Sequence, residues 1–422
     1  MTAWNRPRRW LRELGSYAST QLGVQALGFL AGLAVVRTLS PDQYAQVALA
    51  GNFQVTLALL ADTGIGIGLA SIGGQIWRDR DRLGRLIAAA RSLRGQFAVV
   101  ALAAVVPLFV WLLVRNGSPA WHVLVITAAV ILTLWAQLNY DALGAAPRLA
   151  GEVARLQRID LAGNAVRLGA MLALAALGVL NAPLAVAVGS MVAVGQWLRL
   201  RPAVADLTDL DAKPDEADRT ALLSLARSQV ANTIFFCLQG QIGLWIIAGF
   251  GNTRGVADLG ALGRLAFLLT IPNAVQNNLI LPRFARLPAD RPLLARRYGQ
   301  IVGVAAAAAL GLWALSAVFP EPLLWLLGPS YAHLQRELPL LMASAALAYF
   351  AAVLWSLNFA RAWVRWSWLN IPIALAIQAA SVPLLNLATV HGVILFGLFP
   401  SLASIALNLW LSRRGLRATA AP

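Results

Sequence analysis

Residues 97–114 read FAVVALAAVVPLFVWLLV, a run of eighteen residues without a charged side chain. As a helix rising 1.5 Å per residue, this run would cover about 27 Å, close to the roughly 30 Å hydrocarbon core of a bilayer. Comparable apolar runs recur from Leu14 to Leu411. Of the 422 residues, 59% are hydrophobic and only 12% are charged, against about 25% charged residues in soluble proteins. The sequence therefore predicts an all-α polytopic membrane protein.

The apolar runs fit about twelve transmembrane helices in two six-helix lobes. We place the spans at residues 14–36, 43–74, 92–114, 119–141, 152–180, 183–200, 222–249, 256–282, 297–319, 335–360, 366–388 and 391–411. The longest polar stretch follows the sixth span, so we predict an N-terminal lobe over residues 1–200, a cytoplasmic linker over 201–221 and a C-terminal lobe over 222–422. In each half an outer turn is followed by a long helix and then by an arginine-rich inner loop. Tyr44 in the first outer turn and Val256 in the second are 212 residues apart. This order hints at a parallel repeat, in which two lobes rock around a central site.

The cationic residues indicate the orientation. With these spans, 29 of the 34 lysine and arginine residues fall on the side of the N-terminus, the even-numbered connections and the C-terminus. Because cytoplasmic loops are enriched in lysine and arginine, both termini are expected in the cytoplasm. A composition rich in Ala, Leu and Arg with a single Lys suggests a GC-rich bacterium, so the expected location is the bacterial cytoplasmic (inner) membrane.

Motifs of soluble enzymes are absent from the sequence, which has no Walker loop, no His-Glu-x-x-His and no Cys-x-x-Cys. His122, His333 and His391 stand apart near outer span ends, where interfacial side chains are commoner than metal ligands. We therefore expect a non-enzyme with no catalytic residue, no metal site and no cofactor. The net charge of +16 comes mostly from one side of the membrane, so we expect no nucleic-acid partner.

A polar stripe on the fifth predicted span is the strongest functional signal. Gln157, Asp160, Asn164 and Arg167 are spaced by three, four and three residues, which puts them on one helix face. Since a charge at the bilayer centre costs about 2.5–3.5 kcal/mol, the stripe is expected to face a wet cavity or a polar neighbour. Asp62, near the middle of the second predicted span, could be that neighbour, and a structural Arg167–Asp62 pair is the alternative to a binding site.

Further polar side chains lie within or beside other spans. Arg264 is placed some seven residues into the eighth span, and Arg37 closes the first span. Both could instead extend to the outer headgroups. Asn232 and Gln239 share one face of the seventh span, where such amides bind sugar hydroxyls or link helices.

Three segments of the first half resemble a known family. Val36–Tyr44 has an arginine at the end of the first helix and a short turn leading to tyrosine, Leu60–Gly66 holds an Asp-x-Gly, and Arg78–Leu86 is an arginine-rich loop. Together they resemble the opening of the polysaccharide (O-antigen type) flippases of the multidrug/oligosaccharidyl-lipid/polysaccharide (MOP) exporter superfamily. Two positions depart from that pattern: Ala45 replaces a glycine, and Ser71 stands where such proteins often carry a basic residue.

The resemblance implies a MOP/MATE-like fold with a cationic central cavity and alternating access. Its cargo would be an undecaprenyl-diphosphate-linked oligosaccharide, moved from the cytoplasmic to the periplasmic leaflet for cell-surface polysaccharide (lipopolysaccharide) biosynthesis. Membrane lipids and other polysaccharide-assembly proteins would be its partners. The substrate-binding candidates are Arg167, Arg264, Arg37, Asn164, Asn232 and Gln239, and Asp62 is the candidate for a coupling ion.

The sequence is also compatible with two other functions. A cation-coupled drug or metabolite antiporter of the same superfamily would more often carry cavity carboxylates and aromatic residues. A membrane-embedded polysaccharide polymerase or glycosyltransferase would need acidic residues in a substantial outer loop. The largest outer loop, near 319–336, is short.

Overall fold

The computed structural model describes residues 7–418 apart from 277–279, 282, 283, 285, 286, 289, 362 and 364. Within this part of the chain every regular element is a helix. The α-helices are α1 (Pro7–Thr38), α2 (Pro41–Asp62), α3 (Ile65–Ile76), α4 (Arg80–Arg115), α5 (Ala120–Leu143), α6 (Ala145–Ala150), α7 (Val153–Ala176), α8 (Ala182–Ala203), α9 (Glu216–Gly249), α10 (Thr253–Leu265), α11 (Thr270–Val275), α12 (Arg291–Val318), α13 (Pro320–Leu327), α14 (Glu337–Ala360), α15 (Asn370–Ser381) and α16 (Val390–Ala418). Short 3₁₀ helices occupy Ala266–Leu269, Pro329–Gln335 and Ser367–Leu369.

Among the described residues, nine stretches are long and apolar enough to cross a bilayer. They are Ser19–Thr38, Pro41–Asp62, Arg80–Arg115, Ala120–Ala150, Val153–Ala176, Ala182–Ala203, Arg291–Val318, Glu337–Ala360 and Val390–Ala418. Each overlaps a predicted span, which confirms the polytopic all-α class. The other three predicted spans coincide with α9, with the broken stretch from α10 to α11, and with the twelve residues of α15.

Two predicted spans are broken where the sequence reading made them continuous. The predicted helix over 43–74 ends at Asp62, because Thr63 and Gly64 adopt left-handed backbone conformations with φ of 33° and 82°. Thirty-two helical residues would also measure about 48 Å, more than a bilayer needs. The predicted helix over 256–282 tightens into the 3₁₀ turn Ala266–Leu269 just before Pro272, whose ring removes a backbone donor and obstructs the preceding turn.

The chain divides into two units, Met1–Ile242 and Gly243–Pro422, and the division falls inside α9. In the first unit α1 packs on α7, α5 on α8 and α2 on α4. One apolar cluster joins α3, α4 and α5, with Ile65, Leu86 and Leu93 almost fully buried. This packing holds the polar side chains of α2, α4, α5 and α7 near one another.

In the second unit α14 packs against both α12 and α16. Leu354 and Leu357 of α14 are fully buried in its apolar cluster. A neutral polar chain lies beside them: the Tyr298 and Ser412 hydroxyls are 2.6 Å apart, and Ser412 Oγ donates to Asn358 Oδ1 at 2.7 Å. Hydroxyls and amides can satisfy one another in hydrocarbon without a net charge, so this network fastens α12, α14 and α16 together.

The stretch between α8 and α9 packs against the N-terminal ends of α4 and α7 in the first unit. The backbone N–H of Asp209 donates to Arg80 O at 3.3 Å, and a Cβ added to Gly84 would lie 2.6 Å from Asp209 O. Arg155 donates to both carboxylate oxygens of Asp206, at 2.7 and 2.9 Å. Arg82 Nη2 also donates to the buried carboxylate of Asp218 at 2.9 Å. The predicted lobe boundaries remain a prediction, but the segment over 204–218 has fixed contacts.

The Arg155–Asp206 contact predicts a pH-dependent linker. The hydrogen bonds from Arg155 lower the pKa of Asp206 below its ordinary value. Because the pKa is lowered, the contact stabilises the linker fully at any pH above the ordinary aspartate pKa. This stabilisation is lost as the pH falls through the lowered pKa. Lys213 is the only lysine, so a dye can be attached there. The fluorescence anisotropy of this dye should fall on acidification of the wild type. In Asp206→Asn the anisotropy should already be low at pH 7. Asp211→Asn, which alters an exposed carboxylate of the same segment, should match the wild type; equal traces for all three proteins would refute the assignment.

Candidate functional site

The polar stripe predicted on residues 157–167 lies on α7, which packs between α1 and α8. Gln157 is buried, and Asp160, Asn164 and Arg167 are partly buried. The helix ends at Ala176, four residues before the predicted span end, so Arg167 lies nine residues, about 14 Å, from that terminus. This depth places the backbone of Arg167 near the middle of the span.

Asp160 accepts hydrogen bonds from two neighbouring helices. The Tyr140 hydroxyl of α5 donates to Asp160 Oδ1 at 2.7 Å, and Gln196 Nε2 of α8 donates to the same atom at 3.3 Å. A Cβ added to Gly163 would lie 2.6 Å from Gln196 Nε2, so the glycine leaves room for this amide. No lysine, arginine or histidine among the described residues forms a salt bridge with Asp160. This carboxylate is therefore held by neutral donors.

Arg167 and Asn164 point to different neighbours. A Cβ added to Gly189 of α8 would lie 3.9 Å from Arg167 Nη2, so the guanidinium group lies over a small residue at the α7–α8 contact. Asn164 Nδ2 donates to the backbone oxygen of Asp160 at 2.9 Å. Its Oδ1 would be 3.3 Å from a Cβ added to Gly28, which places the amide at the α1–α7 contact.

The suggested Arg167–Asp62 pair is wrong, because Asp62 pairs with Arg94 of α4. Arg94 Nε donates to Asp62 Oδ1 at 2.9 Å, and Arg94 Nη2 forms a second, short contact with the same oxygen. Asp62 Oδ1 also accepts from the backbone N–H of Gly66 at 3.1 Å, in the first turn of α3. The carboxylate therefore joins α2, α3 and α4 at the break after residue 62. Arg94 gave no sequence signal because it lies at the inner end of the third predicted span, where arginine is common.

More ionisable groups surround these residues. Asp141 of α5 lies 3.7 Å from Arg148 of α6 and close enough to Arg94 and Asp62 to interact electrostatically. Asp62 and Asp141 thus each form a salt bridge with an arginine, whereas Asp160 only lies within electrostatic range of Arg148. The spacing of Tyr140 and Asp141 on α5 gave no sequence signal, since both end a predicted apolar span. No group of three His, Cys, Asp or Glu side chains in the described part of the chain could hold a metal ion.

The remaining predicted residues are dispersed. Arg37 is exposed in the last turn of α1, and Gln239 is partly buried on α9. The side chain of Asn232 lies outside the described part of the structure. In the second unit Arg264 occupies the last turn of α10, eleven residues and about 16 Å from the helix start at Thr253.

One hydrogen bond of the second unit involves a histidine predicted to stand alone. His333 Nε2 lies 3.1 Å from Asp258 Oδ2, and the Asp258 carboxylate is buried. The pair connects α10 to the 3₁₀ helix Pro329–Gln335. The prediction that His333 is isolated is therefore wrong. Its partner Asp258 is 75 residues away in sequence, so no local sequence pattern indicated the contact.

Solved structures identify this helical arrangement. An inward-facing multidrug resistance MATE family transporter of the MOP superfamily superposes with a TM-score of 0.70 at 16% identity, covering 96% of this chain and 100% of that chain. The chain has the MOP transporter fold. An outward-facing multidrug resistance MATE transporter gives a TM-score of 0.57 at 14% identity, with 95% of each chain covered. A MOP superfamily transporter from Pyrococcus furiosus, described as having a binding pocket of reversed polarity, gives 0.56 at 14% identity, with 96% and 95% covered.

The predicted MOP/MATE-like fold is confirmed by these superpositions. No model of a known protein family matches the sequence, and no curated protein matches it. At 14–16% identity the MOP likeness concerns the fold alone.

Proposed function

We propose that this protein is a membrane transporter working by alternating access, with a lipid-diphosphate-linked oligosaccharide as cargo. It would move the cargo from the cytoplasmic to the periplasmic leaflet of a bacterial inner membrane, for cell-surface polysaccharide biosynthesis. The MOP fold supports the transport mechanism, since structures with this fold are described as inward-facing and outward-facing. The one-sided distribution of arginine supports the orientation with both termini in the cytoplasm.

The observation that carries the cargo class is Arg167. A diphosphate needs its charges balanced wherever it leaves water, and arginine binds phosphate oxygens through a planar fork of donors. Arg167 brings such a fork to the middle of α7, over Gly189. Arg264 and Arg37 are further candidates for the phosphates, and Asn164, Asn232 and Gln239 for sugar hydroxyls.

A proteoliposome assay tests this proposal. Fluorescent undecaprenyl-diphosphate oligosaccharide would be placed in one leaflet and its arrival in the other followed by quenching. Transfer that needs the protein and leaves the lipid chemically unchanged is the expected result. Elongation of the sugar would instead identify a polymerase, and no transfer together with uptake of a soluble cation would identify a drug antiporter.

The drug antiporter is a real second candidate, because the two MATE structures are described as multidrug resistance transporters. Asp160 is compatible with either cargo. A carboxylate held by neutral donors can bind and release a proton or a monovalent cation, while Asp62 already has its charge balanced by Arg94. We therefore assign the coupling ion to Asp160 in place of Asp62.

Asp160→Asn should uncouple transport from the ion gradient. The amide oxygen can still accept from Tyr140 and Gln196, so folding should be retained, while the titratable charge is gone. Gradient-driven transport in proteoliposomes should fall at least about tenfold, toward the rate without a gradient. Asp141→Asn makes the same change next to Tyr140 and should keep most of the gradient stimulation. Full stimulation in Asp160→Asn would exclude Asp160 as the coupling residue.

A further inference from the structure

A cavity of about 500 Å³ lies between α4 and α5 in the first unit. Its walls are mostly apolar and include Val99, Leu102, Ile131 and Leu134. Val99 is 66% exposed and Ile131 40% exposed, although both belong to helices that cross the membrane. The cavity therefore opens toward the acyl chains, and we call it the α4–α5 groove.

One end of the groove is polar. Arg91 and Ser92 of α4 and Asn139 of α5 line it, and Pro214 of the docked linker adds to the lining there. Arg91 Nε donates to Asn139 Oδ1 at 3.0 Å, which uses one of the five N–H groups of the guanidinium. Because Arg91 precedes the uncharged run 97–114 by six residues, it sits about 9 Å on the cytoplasmic side of it. That is the depth of the inner headgroups.

Arg91 has a cationic neighbour and no salt-bridge partner among the described residues. Arg201 of α8 lies close enough to repel its charge. The Arg201 guanidinium stacks over Trp197 at 5.6 Å, and Trp197 meets the groove residue Trp135 edge-on at 4.7 Å. Neither arginine forms a salt bridge within the described part of the chain. An anion bound between them would relieve the repulsion.

From this geometry we propose that the α4–α5 groove binds one anionic phospholipid of the cytoplasmic leaflet. Its phosphate contacts the free N–H groups of Arg91 and the charge of Arg201, and its acyl chains follow the apolar walls toward Leu102 and Ile131. Basic pockets between transmembrane helices on the cytoplasmic side bind anionic headgroups in this way. The site serves a resident lipid, and it is separate from the cargo residues on α7.

Lipid retention measured by native mass spectrometry tests the proposal. Purified protein is equilibrated with vesicles of phosphatidylglycerol and phosphatidylcholine, and the lipids that remain bound are counted. The wild type should keep one phosphatidylglycerol, and Arg91→Gln should lower this retention about tenfold. Arg85→Gln removes an exposed arginine from the same helix and should have no effect. Equal retention in Arg91→Gln and the wild type, or equal retention of the two lipids, would overturn the site.

A steric variant keeps the test valid if the charge variant fails to fold. Gly95 lines the groove, and a Cβ added there meets nothing within 4 Å. Gly95→Leu should fill the groove and lower phosphatidylglycerol retention, while Gly169→Leu, an equally open helical position on α7, should not. Displacement of the lipid by millimolar inorganic phosphate would identify a free-anion site instead. Displacement by undecaprenyl diphosphate would identify a cargo-entry route, and either result contradicts a resident-lipid site.

Discussion

Arg94→Ala is expected to destabilise the first unit by about 2 kcal/mol, since its removal leaves the half-buried Asp62 carboxylate without a guanidinium partner. Arg94 is 5% exposed, and its guanidinium holds the Asp62 carboxylate at the break between α2 and α3. The carboxylate also binds the N–H of Gly66, so its displacement would loosen the first turn of α3.

A double-mutant cycle in detergent measures this effect. Thermal unfolding of Arg94→Ala should begin well below that of the wild type. The double variant Asp62→Asn/Arg94→Ala removes both charges and should recover much of the loss, and Asp62→Asn alone completes the cycle. Arg85→Ala, an exposed arginine on α4, serves as the control and should unfold like the wild type. If Arg94→Ala also unfolds like the wild type, the ion pair has no role in stability.

Helix class and approximate spans could be predicted because lipid imposes a simple requirement on sequence. Backbone polar groups must be satisfied within each crossing segment, so long apolar runs such as 97–114 become helices. The breaks were harder to predict. Thr63 adopts a left-handed conformation with no proline beside it, and the 3₁₀ turn at Ala266–Leu269 depends on a proline three residues further on.

The partners of polar side chains could be predicted only along one helix. Periodicity predicted one face of α7 for Asp160, Asn164 and Arg167, yet it carried no information about the neighbouring helices. In the structure Asn164 lies at α1, whereas Asp160 and Arg167 lie at α8. The suggested pairing of Asp62 with Arg167 joined two distant segments, and no sequence pattern supported contact between them. Packing brings α2 against α4, which puts Arg94 next to Asp62 and leaves Arg167 beside α8. The docked linker was missed for the same reason, because its contacts join residues far apart in sequence.

Arg167→Ala should abolish cargo transport while leaving the protein folded. On the proposed function, Arg167 supplies charge-assisted hydrogen bonds to the cargo phosphate near the membrane centre, where no water replaces them. Loss of such a desolvated contact should reduce transport of the lipid-linked oligosaccharide about 30-fold or more. Arg264→Ala removes the second proposed phosphate contact and should have a similar effect.

Two comparisons separate phosphate recognition from a general charge effect. Arg158→Ala removes an exposed arginine near the N-terminal end of α7 and should transport normally. Arg167→Lys keeps the charge but loses the planar fork, so transport should be intermediate and the apparent affinity for cargo should fall more than the maximal rate. Direct binding of undecaprenyl diphosphate, followed by fluorescence, should weaken in the order wild type, Arg167→Lys, Arg167→Ala. Normal transport by both Arg167→Ala and Arg264→Ala would remove the cationic basis of the cargo assignment and favour an antiporter built around Asp160.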